Sequence, residues 1–165
     1  MHATPMTTHH FFGVDPGNAG GIAVLNIKGQ VVRVHRRPTD LLELGAIFHL
    51  PPDVTGVGMI EFVRSSPQMG VVSAFTFGRG LGELEMALTA ARIQYWEVLP
   101  RKWQDTFECR SHGDKNITKA KAVEMFPSAL WLAPELMPIT HHTADALLIA
   151  EFCRRSFLAR HATRI

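Results

Sequence analysis

Three carboxylates stand where apolar runs stop. Asp15 closes Phe11-Phe12-Gly13-Val14, Glu61 closes Val57-Gly58-Met59-Ile60, and Asp145 opens Ala146-Leu147-Leu148-Ile149-Ala150. A carboxylate rarely follows an apolar run into an interior unless something pairs with it. If these runs belong to one sheet and one helix, the three acids meet at one end, and their mutual repulsion calls for a divalent cation. Hard oxygen ligands suit Mg²⁺ or Mn²⁺. Two such ions, about 3.5–4 Å apart, activate water and stabilise the leaving oxygen in phosphodiester hydrolysis. His142, three positions before Asp145, shares its face if the helix already includes it, and an imidazole ligand tilts the choice toward Mn²⁺. Each residue also has a plainer use. Asp15 before Pro16-Gly17 suits a turn, Glu61 a salt bridge to Arg64, Asp145 the start of a helix, and His141 and His142 a solvated loop.

The elements that must position these acids follow from periodicity and punctuation. Phe11 to Asp15 reads as a buried strand stopped by Pro16-Gly17, after a loose N-terminal end over residues 1–9. Ile22 to Ile27 and Val31 to His35 are two further strands around the turn Lys28-Gly29-Gln30, giving an antiparallel meander. Thr39 or Asp40 caps a helix to about His49, which Pro51-Pro52 ends. Val57 to Glu61 is the next strand. Ser66-Pro67 suits the cap and first position of a helix to about Ala91, whose glycines at 70, 78, 80 and 82 point to close backbone approach. Ile93 to Val98 is a strand, Pro100 opens a short helix, Asn116 or Thr118 starts another, and the last helix begins near Thr143. Residues 131–140 read as a surface loop. The order of elements predicts one α/β domain over residues 1–165 with a mixed sheet.

Composition narrows the class. The chain has 165 residues, 46% hydrophobic and 19% charged, which excludes a disordered or fibrous protein. No apolar run reaches the roughly 18–20 residues that span a bilayer, and no secretory signal opens the chain, so no membrane association and a cytoplasmic location are expected. Two cysteines, Cys109 and Cys153, make neither a disulfide framework nor a four-thiolate zinc site. The net charge is only +2, but cations cluster at Arg33 to Arg37, from Arg101 to Lys121 and from Arg154 onward. Such clusters suit an anionic polymer or a solvated face.

Taken in order, the segments resemble the RuvC family of Holliday junction resolvases, nucleases with an RNase H-like fold. FFGVDPGNAGGIAVL carries the first-strand acid and Pro-Gly, MIEFV the strand-terminal glutamate, AFTFGRGLGELEMAL a Gly-rich helix, and YWEVLPRKWQ a strand leading to basic residues. DKNITKAKAVEMF is similar to the family's lysine-bearing segment, and HHTADALLIAEF to its closing acid-bearing helix. The resemblance spans residues 10–155 and implies a mixed sheet flanked by helices. It implies catalytic and metal-binding roles for Asp15, Glu61, His142 and Asp145 with two Mg²⁺ or Mn²⁺ ions. It further implies DNA contacts by Arg64, Arg79, Lys102, Lys115, Lys119 and Lys121. The implied activity is symmetric cutting of four-way junction DNA by a homodimer, leaving 5′-phosphate and 3′-hydroxyl ends, with branch-migration proteins as further partners. Other branched DNA or RNA–DNA hybrids, and a catalytically silent junction-binding module, are the alternatives. An actin-like kinase would need a second phosphate loop and a second domain, and no Walker motif is present. Some relatives place an aromatic wedge three residues after the glutamate, where this chain has Arg64. Phe75 is assigned to the core or a dimer interface, with the core as the default, and Trp103 and Trp131 to packing.

Overall fold

The run ending at Asp15 is the middle strand of a five-stranded sheet. The computed structural model describes residues 8–127 and 139–162. Its elements are β1 (Thr8–Val14), β2 (Gly21–Asn26), β3 (Val31–Arg36), α1 (Leu41–Phe48), β4 (Val54–Glu61), α2 (Val71–Ala90), β5 (Gln94–Val98), α3 (Pro100–Thr106), α4 (Lys115–Met125) and α5 (Ala144–Ala162). The strand order is β3-β2-β1-β4-β5. β1 pairs antiparallel with β2 and parallel with β4, while β5 adds parallel to β4. The C-terminal ends of β1 and β4 therefore lie side by side, in the register Val14 to Ile60.

Helices cover both faces, which is why β1 reads as a continuous apolar run and not an alternating one. Phe11, Val57 and Met59 pack with α3, α4 and α5 on one face. Phe12, Val14 and Ile60 pack with α1 and α2 on the other. Gly13 decides how closely α5 approaches. A Cβ at that position would fall 2.1 Å from the Ala146 carbonyl oxygen and 2.2 Å from the Ala150 nitrogen. Only a residue without a side chain allows the strand and helix backbones to touch there. That contact brings the start of α5 up to the end of β1.

Local signals explain the remaining borders. Asp40 caps α1 by accepting from the Glu43 N–H at 2.8 Å, and Pro100 occupies the first turn of α3. In the β2–β3 turn, Asn26 Oδ1 accepts from the Lys28 and Gln30 N–H groups, and Gly29 takes φ +80°, a conformation that favours glycine. Some expectations need correction. β1 begins at Thr8, so residues 8 and 9 of the expected loose end belong to the sheet, pairing with Val54 and Thr55. α2 begins at Val71 with Gly70 at its cap, because Ser66 to Met69 closes its own turn through the Met69 N–H to the Ser66 carbonyl. α4 starts at Lys115, before the expected Asn116 or Thr118, because Asp114 caps it, its carboxylate accepting from the Asn116 N–H. Phe75 is 72% exposed and not in the core, since it sits on the face of α2 opposite Gly80, Leu84 and Leu88. Most of the expected 131–140 loop, including Trp131, lies outside the described residues. Among the described residues no helix is long and apolar enough to cross a membrane.

Candidate active site at the carboxylate end of the sheet

Asp15 leaves β1 with its backbone still tied to the sheet, its N–H donating to the Gly21 carbonyl at 2.9 Å. Its Oδ1 accepts from the Gly17 N–H at 3.1 Å, so the Pro-Gly turn also orients the carboxylate. Burial raises the Asp15 pKa, the Gly17 bond opposes this, and the Asp145 charge adds to the rise. Glu61, one residue past the Val14–Ile60 register, is half-buried, and burial together with the charges of Asp15 and Asp145 pushes its pKa up to about 7. The Trp103 indole N–H donates to Glu61 Oε1 at 3.1 Å and works against that rise.

Asp145 enters from α5 and is 2% exposed. The Lys115 ammonium at the start of α4 bonds Asp145 Oδ2. Asp145 Oδ1 is buried with no hydrogen-bond partner. Burial pulls the Lys115 pKa down, but the bond to Asp145 and the charges of Asp145, Asp15 and Glu61 outweigh it and hold the ammonium above its ordinary value. Lys115 thus supplies one positive charge to three acids. An orphaned buried carboxylate oxygen beside two more under-compensated carboxylates is the donor chemistry that a hard divalent cation satisfies. The described residues hold no three ligating side chains already drawn onto one point, so the carboxylates share a field but not yet a coordination shell.

His142 is not on the helix. It lies in the turn before Ala144, its N–H donating to Thr140 Oγ1 at 3.2 Å, and its ring is near enough to Asp15 to oppose the rise of that carboxyl's pKa. His141 is exposed, with Nδ1 3.4 Å from the Lys115 carbonyl. Glu61 does not bridge to Arg64; the Arg64 guanidinium lies over the Phe62 ring, 4.8 Å from its centroid. Lys102 is exposed on α3, and Lys119, one turn beyond Lys115, shares its side of α4. Lys121 lies away from them, bonded to Glu124 at 2.9 Å. Arg79 is exposed on α2 and bonds Glu83 at 3.0 Å.

The basic clusters are largely spent inside the fold. Arg37 lies over Gly80 and joins Arg79 on Glu83, and Arg33 donates to the His49 carbonyl. Arg101 and Arg110 pair with Asp105. Arg154 and Arg155 hold Glu151. Sequence reasoning missed two contributors to the site. Gly13 had a readable signal, a glycine interrupting an apolar strand. The Trp103 bond had none, because it joins residues 42 apart through the packing of α3.

No family model matches the chain, and no curated protein does either. Solved structures do. The chain is similar to the structure of Thermus thermophilus RuvC, with 20% identity and a TM-score of 0.59 over 93% of this chain and 97% of that one. It is also similar to T. thermophilus RuvC in complex with a Holliday junction substrate, with 17% identity and a TM-score of 0.57 over 94% of this chain and 97% of that one. The RNase H-like fold expected from the resemblance is the fold observed.

Proposed function

From a chain with the RuvC fold, we propose a RuvC-type Holliday junction resolvase: a cytoplasmic endonuclease that hydrolyses phosphodiester bonds of four-way DNA junctions with divalent metal. The observation that carries this reading is the electrostatic coupling of Asp15, Glu61 and Asp145 at the C-terminal end of β1 and β4, with one oxygen of Asp145 buried and unpartnered. A divalent ion, two per site in the full reading, supplies a Lewis acid that lowers the pKa of water and bears charge on the leaving 3′ oxygen. Asp15, Glu61 and Asp145 hold it, with His142 beside Asp15 as a further ligand or proton carrier. Lys115 holds Asp145 in place, and its ammonium would also be available to a substrate phosphate. Arg64 and Lys102, both exposed, and the half-buried Lys119 are the cations of this reading that carry no ion pair among the described residues, and they meet the DNA backbone or stack on opened bases.

The reading includes a homodimer, and one face of α2 supports it. Val71, Phe75, Gly78, Gly82 and Met86 line the side of α2 opposite its core residues. Val71, Phe75 and Met86 are strongly exposed, and a Cβ at Gly78 or Gly82 would meet nothing. The stripe is self-complementary for antiparallel pairing about a two-fold axis between residues 78 and 79. Phe75 then faces the partner's Gly82 and Val71 the partner's Met86, an isologous contact in which glycine makes room for the ring.

The test is a labelled four-way junction beside a matched linear duplex, with Mg²⁺, with Mn²⁺ or with EDTA. Paired symmetric nicks in the junction alone, with 5′-phosphate ends and no cutting in EDTA, are expected. Equal cutting of both substrates would leave a metal nuclease with another target, and tight binding without cutting would leave a binding module.

A further inference from the structure

Trp103 is fully buried among the residues that α3, α4 and α5 pack onto the sheet. Packing accounts for its ring but not for its N–H, which leaves the apolar cluster and ends on Glu61 Oε1 at 3.1 Å. That bond is the one hydrogen bond the Glu61 carboxylate receives among the described residues, and Oε2 has none. We propose that Trp103 is a positioning residue: its indole fixes one oxygen of Glu61 so that the other is presented to a divalent cation. The inference rests on the reading of Glu61 as a metal ligand.

The choice of donor carries the argument. Indole is a neutral donor with no acceptor. An Arg or Lys in its place would orient the carboxylate but also cancel the charge that a cation needs. An alcohol would orient it less well, because its hydrogen rotates. Trp103 orients Glu61 and leaves its charge in place. Asp15 is held in the same manner, by the neutral Gly17 N–H on Oδ1. Both strand-end acids are thus oriented by neutral donors, whereas Asp145 is held by the Lys115 ammonium. Partners of this kind, one step outside a metal's own ligands, change metal affinity by roughly ten- to a hundredfold when removed.

Two measurements test this. In thermal melts against Mn²⁺ concentration, Trp103→Phe keeps most of the packing and loses the N–H. The Mn²⁺ concentration for half-maximal protection should rise about ten- to a hundredfold. A lower melting temperature without metal but an unchanged Mn²⁺ midpoint would overturn the proposal and leave Trp103 a packing residue. The wild-type chain gives the second test, which survives a variant that does not fold. The Trp103 indole N–H resonance, assigned by removing Trp96 and Trp131 in turn, should shift as Mg²⁺ is added and stay fixed in Asp145→Asn. A resonance that does not move while Mg²⁺ binds would also overturn it. If Mn²⁺ gives the wild type no protection, the metal-site reading and this inference fall together. If the Mn²⁺ midpoint shifts as expected but junctions are not cut, the inference stands and the resolvase reading alone fails.

Discussion

Helix α5 carries two buried acids six positions apart, Asp145 and Glu151, and they are treated in opposite ways. Glu151, 4% exposed, accepts from Arg154 through both oxygens at 2.7 and 2.8 Å and from Arg155 at 2.7 Å. Burial alone would raise its pKa, but the two arginines reverse the sign and hold it below its ordinary value. At the start of the same helix, Asp145, 2% exposed, shares one lysine with two more acids and keeps one oxygen without a partner. Its neighbour Glu61 is half-buried, and there burial and like charge win, taking the pKa to about 7. The arginine pair also serves the fold: Arg154 donates to the Ile27 carbonyl, fastening the β2–β3 turn to α5. A carboxylate that closes its own hydrogen bonds is part of the scaffold. One left short of charge and of partners is a place for a ligand.

That contrast can be broken at either end. The largest effect is expected from Asp145→Asn, which should lower junction cleavage by on the order of a thousandfold while leaving junction affinity nearly unchanged, because on the proposed reading it removes a metal-binding charge and no surface cation. Gel-shift and cleavage assays on the same preparation check both halves. Asp15→Asn should behave alike. In Glu151→Gln the order is reversed. Loss of the buried partner of two arginines should cost about 3 kcal/mol of stability in urea unfolding, with cleavage by the remaining folded protein within a few-fold of wild type.

Proton linkage gives a third effect, with a sign that separates the two ends. In metal-free protein Glu61 keeps its proton to about pH 7, against an ordinary value of 4.5. The native state then binds the extra proton between those values, so this contribution is fully present below about pH 4.5, falls as pH rises to about 7 and is level above. The loss should be about 3 kcal/mol in EDTA, and Glu61→Gln should flatten it. Glu151 has a depressed pKa, and its contribution runs the other way, lost as the solution is acidified.

The smallest change in stability is expected on α2. Gly82→Ala fills open space in one chain, so it should stabilise the helix by up to about 1 kcal/mol. In the antiparallel pair proposed for α2 the same methyl would meet the partner's Phe75. A clash of about 1–3 kcal/mol raises the dimer dissociation constant by about ten- to a hundredfold. Sedimentation and thermal melts of the same variant should therefore move in opposite directions.

Much of this site was legible before any coordinates. Asp15 and Glu61 announce themselves because a buried parallel strand is an unbroken apolar run, and a carboxylate at its end is out of place unless used. The Asp40 cap and Pro100 at the start of α3 are local chemistry, and local chemistry is written in neighbouring residues. Three things were not legible. The onset of β1 at Thr8 depends on pairing with β4, more than forty residues away, and Thr-His-His has no strand signature of its own. The exposure of Phe75 depends on which face of α2 meets the sheet, and apolar residues lie on both faces. Counts of Lys and Arg in a segment do not say which of them are spent on Glu83, Asp105 or Glu151, so the charge clusters overstated the free basic surface.

The central claim is that the acids left short of compensation take up divalent cation while the fully paired acid does not. Calorimetric titration of Mn²⁺ into metal-free wild type, Asp145→Asn and Glu151→Gln tests it most directly. The account predicts saturable binding by the wild type and by Glu151→Gln with similar affinity, and none in the same concentration range by Asp145→Asn. Equal binding by Asp145→Asn and wild type, or no binding by any of the three, would contradict it.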